Sequence, residues 1–260
     1  MMKYIRHLKN LISLNFKLIR NSTTTERLNS GYKNLSYDLL DFITEDGPNY
    51  FKRIGKGPLN NQNLRIQLVK ELLESYKPLL IIETGTFLGD TTEFLSKFSN
   101  VISIEKSRLF YYLSKSRFHN ENQIQIIYGK SEVELKKIKN FEKNTFFYLD
   151  AHWGEDLPLK EEVEQITNNY LNYLICIDDF AVPNDNSWGF DSYEGTKLDI
   201  DMFKNLENTK IYFPDYNSDL ESGEKRGSVF LTNSDNINYI FKKNNFKLYN
   251  KTKQDNILES

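Results

Sequence analysis

From Pro78 to Asp178 short apolar runs alternate with longer mixed segments, and this alternation restricts the fold more than any other feature of the chain. The runs are Leu79–Glu83, Val101–Glu105, Ile124–Tyr128, Thr145–Asp150 and Tyr173–Asp178. They are rich in branched and aromatic residues and lack polar alternation, which predicts strands covered on both faces. The intervening Thr91–Phe98, Leu109–Phe118, Glu132–Ile138 and Leu159–Thr167 read as helices. Strands taking turns with helices predict an α/β fold with a doubly wound, mostly parallel sheet. Further along, the pattern predicts a helix near Leu198–Leu206, strands at Lys210–Phe213 and Ser228–Thr232, and a helix and strand within Tyr239–Leu248.

Ahead of this region the chain reads differently. Ile5, Leu8, Leu11, Ile12 and Ile19 recur at helical spacing among basic residues, Asn21–Gly31 is a polar linker, and Tyr37–Thr44 is a short helix. Gly55–Asn61 reads as a loop, and Leu64, Leu68, Leu72 and Leu73 give Gln62–Tyr76 a helical period. The expectation is an N-terminal helical extension over 1–76, capping the site or joining copies into a homo-oligomer, followed by one domain over 77–260.

Lys plus Arg (34) and Asp plus Glu (36) nearly cancel, leaving a formal net charge of −2. Such a chain has no general attraction to nucleic acid, and no nucleic-acid partner is expected. The single cysteine, Cys176, lies in an apolar run. It excludes an intramolecular disulfide and a cysteine-based zinc site, and it reads as a small buried hydrophobe. Basic residues interrupt the first twenty positions, so neither a membrane span nor a signal peptide is read there. A cytoplasmic protein is expected.

The segment Leu79–Asp90, LLIIETGTFLGD, carries a strand into a glycine turn and then a helix. Gly85 and Gly89 let the backbone turn tightly and approach a ligand at the strand's carboxyl end. Their G-x-x-x-G spacing matches neither the dinucleotide G-x-G-x-x-G nor the P-loop, and no lysine follows to hold a triphosphate. Glu83, just before the turn, repels a pyrophosphate and suits a ligand with a positive charge or an ammonium group. S-adenosylmethionine carries both. Glu105, about 20 residues on at the end of the next strand, stands where an acidic residue in such folds takes ribose hydroxyls.

On Glu83-Thr84-Gly85-Thr86-Phe87-Leu88-Gly89, the strand-terminal Glu105 and Gly129-Lys130-Ser131, the chain resembles the class I S-adenosylmethionine-dependent methyltransferases over roughly Pro78–Asn233. The resemblance implies a Rossmann-like, seven-stranded sheet with a reversed last strand. It implies a cofactor site drawing on Glu83, Gly85, Thr86, Gly89, Asp90, Glu105 and Ser131. One departure is Phe87, where many members carry glycine.

A second group of residues stands at later strand ends, in FFYLDAHW (Phe146–Trp153) and LICIDDF (Leu174–Phe180). Asp150, Asp178 and Asp179 offer hard oxygen ligands, and with no Lys or Arg among them they would repel one another unless a divalent ion such as Mg2+ bound. His152, two residues from Asp150, titrates near neutrality and suits a base that takes a proton from an acceptor hydroxyl. The arrangement is similar to that of metal-dependent O-methyltransferases, including sugar-modifying ones. By that similarity Asp150, Asp178 and Asp179 match metal ligands, and His152, with Asp150, the catalytic group. Adjacent residues on a strand point to opposite faces, so one of the aspartate pair is left open as holding backbone or substrate instead.

In the loop after the fifth strand, Trp188, Phe190, Asp191 and Tyr193 read either as a stacking surface for a flat ligand or as packing. Trp153–Lys160 reads as a wall of the acceptor pocket. Arg226, in ESGEKRG, reads as part of an exposed hairpin turn, with an acceptor clamp as the alternative; His7 and His119 read as surface residues. Together these observations predict methyl transfer from S-adenosylmethionine to a hydroxyl of a sugar or small molecule, with Mg2+ or a similar ion assisting. The rival readings are a different metal-dependent sugar-modifying enzyme and a non-catalytic subunit with the same fold.

Overall fold

A computed structural model describes residues 57–249, apart from 140–141, 153–156, 194, 204 and 244–245. The amphipathic segment, linker and short helix expected within residues 1–56 lie outside the described residues, as does an oligomer contact through them.

The elements follow in the order α1 (Asn63–Tyr76), β1 (Leu80–Thr84), α2 (Asp90–Leu95), β2 (Val101–Glu105), α3 (Arg108–Arg117), β3 (Ile124–Tyr128), α4 (Ser131–Glu134), β4 (Thr145–Leu149), α5 (Leu159–Asn169) and β5 (Tyr173–Ile177). A two-residue-per-strand hairpin, β6 (Ser192–Tyr193) and β7 (Thr196–Lys197), leads to β8 (Lys210–Pro214), β9 (Val229–Thr232), α6 (Asn238–Lys243) and β10 (Phe246–Leu248).

The main sheet runs β3-β2-β1-β4-β5-β9-β8-β10. Strands β1 to β5 pair in parallel, and β9 lies antiparallel to both β5 and β8. The doubly wound sheet with a reversed late strand is therefore present. It has eight strands where the resemblance implied seven, because the short β10 adds antiparallel to the outer edge of β8.

Every residue of β1, β4 and β5 is buried, since helices cover both faces. Register sorts their side chains by parity. Ile81, Phe146 and Cys176 meet Val69, Leu72, Leu73 and Tyr76 of α1, while Ile82, Phe147 and Ile175 meet Leu159, Val163 and Ile166 of α5. Of the expected extension, α1 thus packs directly on the sheet; burying each of Val69, Leu72 and Leu73 contributes about 1.5–3 kcal/mol. Cys176 is fully buried, and burial pushes its thiol far above the ordinary range.

The helix expected at Leu198–Leu206 is only a 3-10 turn at Ile200–Phe203. The Asp199 carboxylate accepts the Asp201 N–H at 3.0 Å, a local turn bond that competes with helix propagation. Leu198 and Phe203 still reach the core and supply the apolar periodicity that suggested a helix. Among the described residues no helix is long and apolar enough to cross a membrane.

Candidate functional site

The carboxyl ends of β1, β2, β4 and β5 open into a cavity of about 370 Å³, within the range of small-molecule sites. On its β2 side lie Gly85, Phe87, Glu105, Phe110 and Ser131; toward β5 lie Asn60, Asp150, His152, Asp179 and Asp191.

Gly85 leaves β1 at φ +85°, and a Cβ there would overlap the Asp150 carbonyl. No L-residue fits, so glycine is what lets β1 and β4 end side by side. Gly89, at φ +83°, starts α2 against the Phe118 ring. Phe87 sits at φ +49°, a left-handed conformation that costs a bulky residue about 1–2 kcal/mol. The backbone of a glycine position thus persists with phenylalanine in it, and the ring packs on Phe110 at 4.5 Å between centroids. This aromatic wall of the cavity was not expected from the sequence, although the departure at Phe87 was its signal.

Glu105 ends β2 and accepts N–H bonds from Phe87 at 2.8 Å and Ser107 at 2.7 Å. Burial pushes its carboxyl up, against those bonds, which favour the ionised form. It ties the turn to β2 while lining the cavity. Of the seven residues expected at the cofactor, Gly85, Glu105 and Ser131 line the cavity and the other four do not. Glu83 is fully buried; its Oε2 accepts the hydroxyls of Ser103 and Thr92, and its Oε1 has no partner. Burial raises its pKa to about 7. The Thr86 hydroxyl joins that network through Ser103 at 2.6 Å, and Asp90 pairs with Arg117 at 2.6 Å.

The aspartate pair after β5 diverges because Asp179 adopts φ +54°. Asp178 turns inward and is fully buried. It pairs with Arg65 of α1, accepts the Tyr148 hydroxyl and the Asn60 amide (3.0 Å), and also accepts the Asp179 N–H at 2.8 Å. Asp179 turns to the cavity, where Arg226 pairs with it and with Asp191. Burial opposes ionisation of Asp179, but the adjacent His152 imidazole and the Arg226 guanidinium that pairs with it hold its pKa at about 2. The expectation that no cation stands among these carboxylates is overturned: Arg65 and Arg226 both do. Their positions, 113 residues before Asp178 and 47 after Asp179, explain why local sequence gave no sign.

His152 is buried, and its Nε2 has no hydrogen-bond partner. That nitrogen lies 3.9 Å from Asp150 Oδ1 and 3.8 Å from Asp179 Oδ2, and one donor atom from each of the three residues falls within 4.8 Å of the others. Asp178, expected as a ligand with them, is outside this group. The Asp150 side chain is about one-third exposed; the desolvation of the part turned inward and the neighbouring Asp178, Asp179 and Glu83 carboxylates push its carboxyl up. The Tyr193 hydroxyl lies 3.0 Å from the His152 carbonyl oxygen and 2.8 Å from Asp191, bracing the loop beside the site.

Trp188 is buried against Tyr216 and is packing, not a stacking surface in the cavity. Pro158 lines the cavity, and residues 153–156 of the same segment are outside the described ones. Arg226 is not on an exposed turn: Gln62 grips its backbone N–H at 2.7 Å and its carbonyl at 3.0 Å.

No family model and no curated protein matches the chain. Solved structures do match. The chain is similar to a protein described as "a putative O-methyltransferase from Klebsiella pneumoniae", with 12% identity, 85% of this chain and 95% of that one covered, and a TM-score of 0.51. An O-methyltransferase from Bacillus cereus, solved with S-adenosylhomocysteine, gives 13%, 87%, 90% and 0.48. The Podospora anserina methyltransferase PaMTH1 gives 17%, 44%, 52% and 0.36, so this chain spans about half of PaMTH1. The chain has the Rossmann-like fold of the class I methyltransferases.

Proposed function

We propose that the protein is an S-adenosylmethionine-dependent O-methyltransferase acting on a hydroxyl of a sugar or small molecule, with a divalent ion assisting. One observation carries this reading: a single cavity joins the glycine turn and Glu105 to the Asp150–His152–Asp179 group. The residues fit the cofactor. Gly85 leaves open backbone where a Cβ would intrude, Glu105 offers remaining lone pairs to hydroxyl donors, and Phe87 with Phe110 gives an apolar surface for a flat ring.

S-adenosylmethionine, when bound, supplies an electrophilic methyl group. The residues of this chain orient the acceptor oxygen toward that carbon and take the hydroxyl proton into the Asp150–His152–Asp179 group. Gly85, Glu105 and the Phe87–Phe110 wall would hold the cofactor, which would give its methyl group to the acceptor oxygen and be released as S-adenosylhomocysteine. Glu83, Thr86 and Asp90 act from behind, holding the turn in place.

Methyl-labelled S-adenosylmethionine incubated with the full chain, divalent ions and a panel of sugars and phenols tests the reading. Label is expected on a hydroxylated acceptor. S-adenosylhomocysteine binding without label transfer to any of them would favour the non-catalytic alternative.

A further inference from the structure

We infer that Asp150, His152 and Asp179 form one metal site in which His152 is a ligand through Nε2, and that this site takes a first-row transition ion of the Zn2+ type in preference to Mg2+. The inference deepens the proposed reading of the same site and differs from the three-carboxylate set that the family resemblance implies.

The three-carboxylate set does not fit. Both Asp178 oxygens are occupied, by Arg65 and the Asp179 N–H on one side and by Tyr148 and Asn60 on the other. Drawing Asp178 onto an ion would leave the buried Arg65 charge without its partner. Asp179 gives one oxygen to Arg226 and keeps Oδ2 for the site. Asp150 Oδ1 is the second oxygen.

The third donor is the imidazole. Its Nε2 is shut off from solvent, and distances of 3.9 and 3.8 Å to the carboxylates are too long for hydrogen bonds. A buried nitrogen without a partner costs about 1–3 kcal/mol. Donors that share one tetrahedral ion at about 2.0–2.2 Å stand roughly 3.3–3.6 Å apart. The separations of 3.9 and 3.8 Å are slightly longer, so a small closing of the side chains onto a single ion satisfies the nitrogen and both oxygens together.

The donor types then choose the ion. Mg2+ favours all-oxygen octahedral surroundings, whereas imidazole suits zinc and its first-row neighbours. Three protein ligands with a position left open is also the usual form of a catalytic zinc site. The open position faces the cavity, where Asp150 is partly exposed. His152 then cannot serve as the free base while the ion is held, since the same nitrogen does both.

The test uses the full chain stripped with chelator. Co2+, a spectroscopic stand-in for Zn2+, is titrated by visible absorption and equilibrium dialysis, with Zn2+ and Mg2+ as competitors and S-adenosylhomocysteine affinity measured in parallel. One equivalent of Co2+ is expected to bind, displaced by Zn2+ and at least about tenfold less readily by Mg2+. His152→Ala should lose Co2+ affinity by about 100-fold or more while its circular dichroism spectrum and urea midpoint show that the fold is kept. A paramagnetically shifted imidazole proton signal in wild type, missing from the variant, gives a second readout. Unchanged Co2+ affinity in His152→Ala, preference for Mg2+, or no Co2+ bound at millimolar concentration overturns the inference, the last meaning that Nε2 is satisfied by water. Failure of S-adenosylhomocysteine to bind a Co2+-loaded protein would instead overturn the methyltransferase reading and leave the metal site standing.

Discussion

Glu83 is a carboxyl at 0% exposure with one oxygen unpartnered, in the strand that leads into the glycine turn. Burial lifts its pKa from 4.5 to about 7, against the Ser103 and Thr92 hydrogen bonds that favour the charged form. A folded-state pKa above the unfolded one means the folded protein holds the proton more tightly. The stability from this group is present in full below about pH 4.5 and is lost as pH rises through about 7. At about 1.4 kcal/mol per pH unit, a rise from 4.5 to about 7 amounts to about 3 kcal/mol. Most of it falls between about pH 5 and pH 8. Glu83→Gln cannot ionise and keeps an oxygen for the two hydroxyls. Urea unfolding of both proteins across that range should show the variant gaining roughly 2–3 kcal/mol on wild type from low to high pH. A difference that stays flat with pH would instead mean a charged or solvated carboxylate at this position.

Other perturbations follow from the same geometry. Gly85→Ala puts a Cβ against the Asp150 carbonyl at a left-handed φ, so the melting temperature should fall and S-adenosylhomocysteine affinity should drop at least about tenfold by calorimetry. Arg65→Ala leaves Asp178 buried and uncompensated, and chemical denaturation should show a loss of about 3–5 kcal/mol; a loss under about 1 kcal/mol would mean that water reaches the carboxylate. Glu105→Ala should keep its fold by circular dichroism while S-adenosylhomocysteine affinity falls about tenfold or more, since a buried carboxylate acceptor in the cavity is removed.

The five parallel strands were legible because burial on both faces writes them as apolar runs, and each observed strand lies within a residue of its expected bounds at either end. The glycine turn was legible because Gly85 and Gly89 both occupy left-handed conformations. The division of labour among the aspartates was not. Asp178 and Asp179 are chemically identical neighbours, and only the backbone twist at Asp179, with Arg65 and Arg226 arriving from distant segments, sends one into the core and the other to the cavity. Asn60 escaped notice for a similar reason. It sits in a run of three left-handed residues, Leu59 to Asn61, held by Thr91 on one side and by Ser222 and Glu224 on the other, and no local pattern announces such a turn. The helix expected near Leu198 is absent where the Asp199 side chain bonds to the Asp201 N–H, a competition that apolar spacing does not reveal.

In the proposed reading the cavity at the carboxyl ends of β1 and β2 holds S-adenosylmethionine. Calorimetric titration of the full chain with S-adenosylhomocysteine tests it most directly, because the product needs neither an acceptor nor turnover. Saturable binding of one equivalent at micromolar concentration, weakened at least about tenfold by Glu105→Ala, is the predicted result. No heat of binding up to millimolar ligand, or binding that Glu105→Ala leaves unchanged, would contradict it.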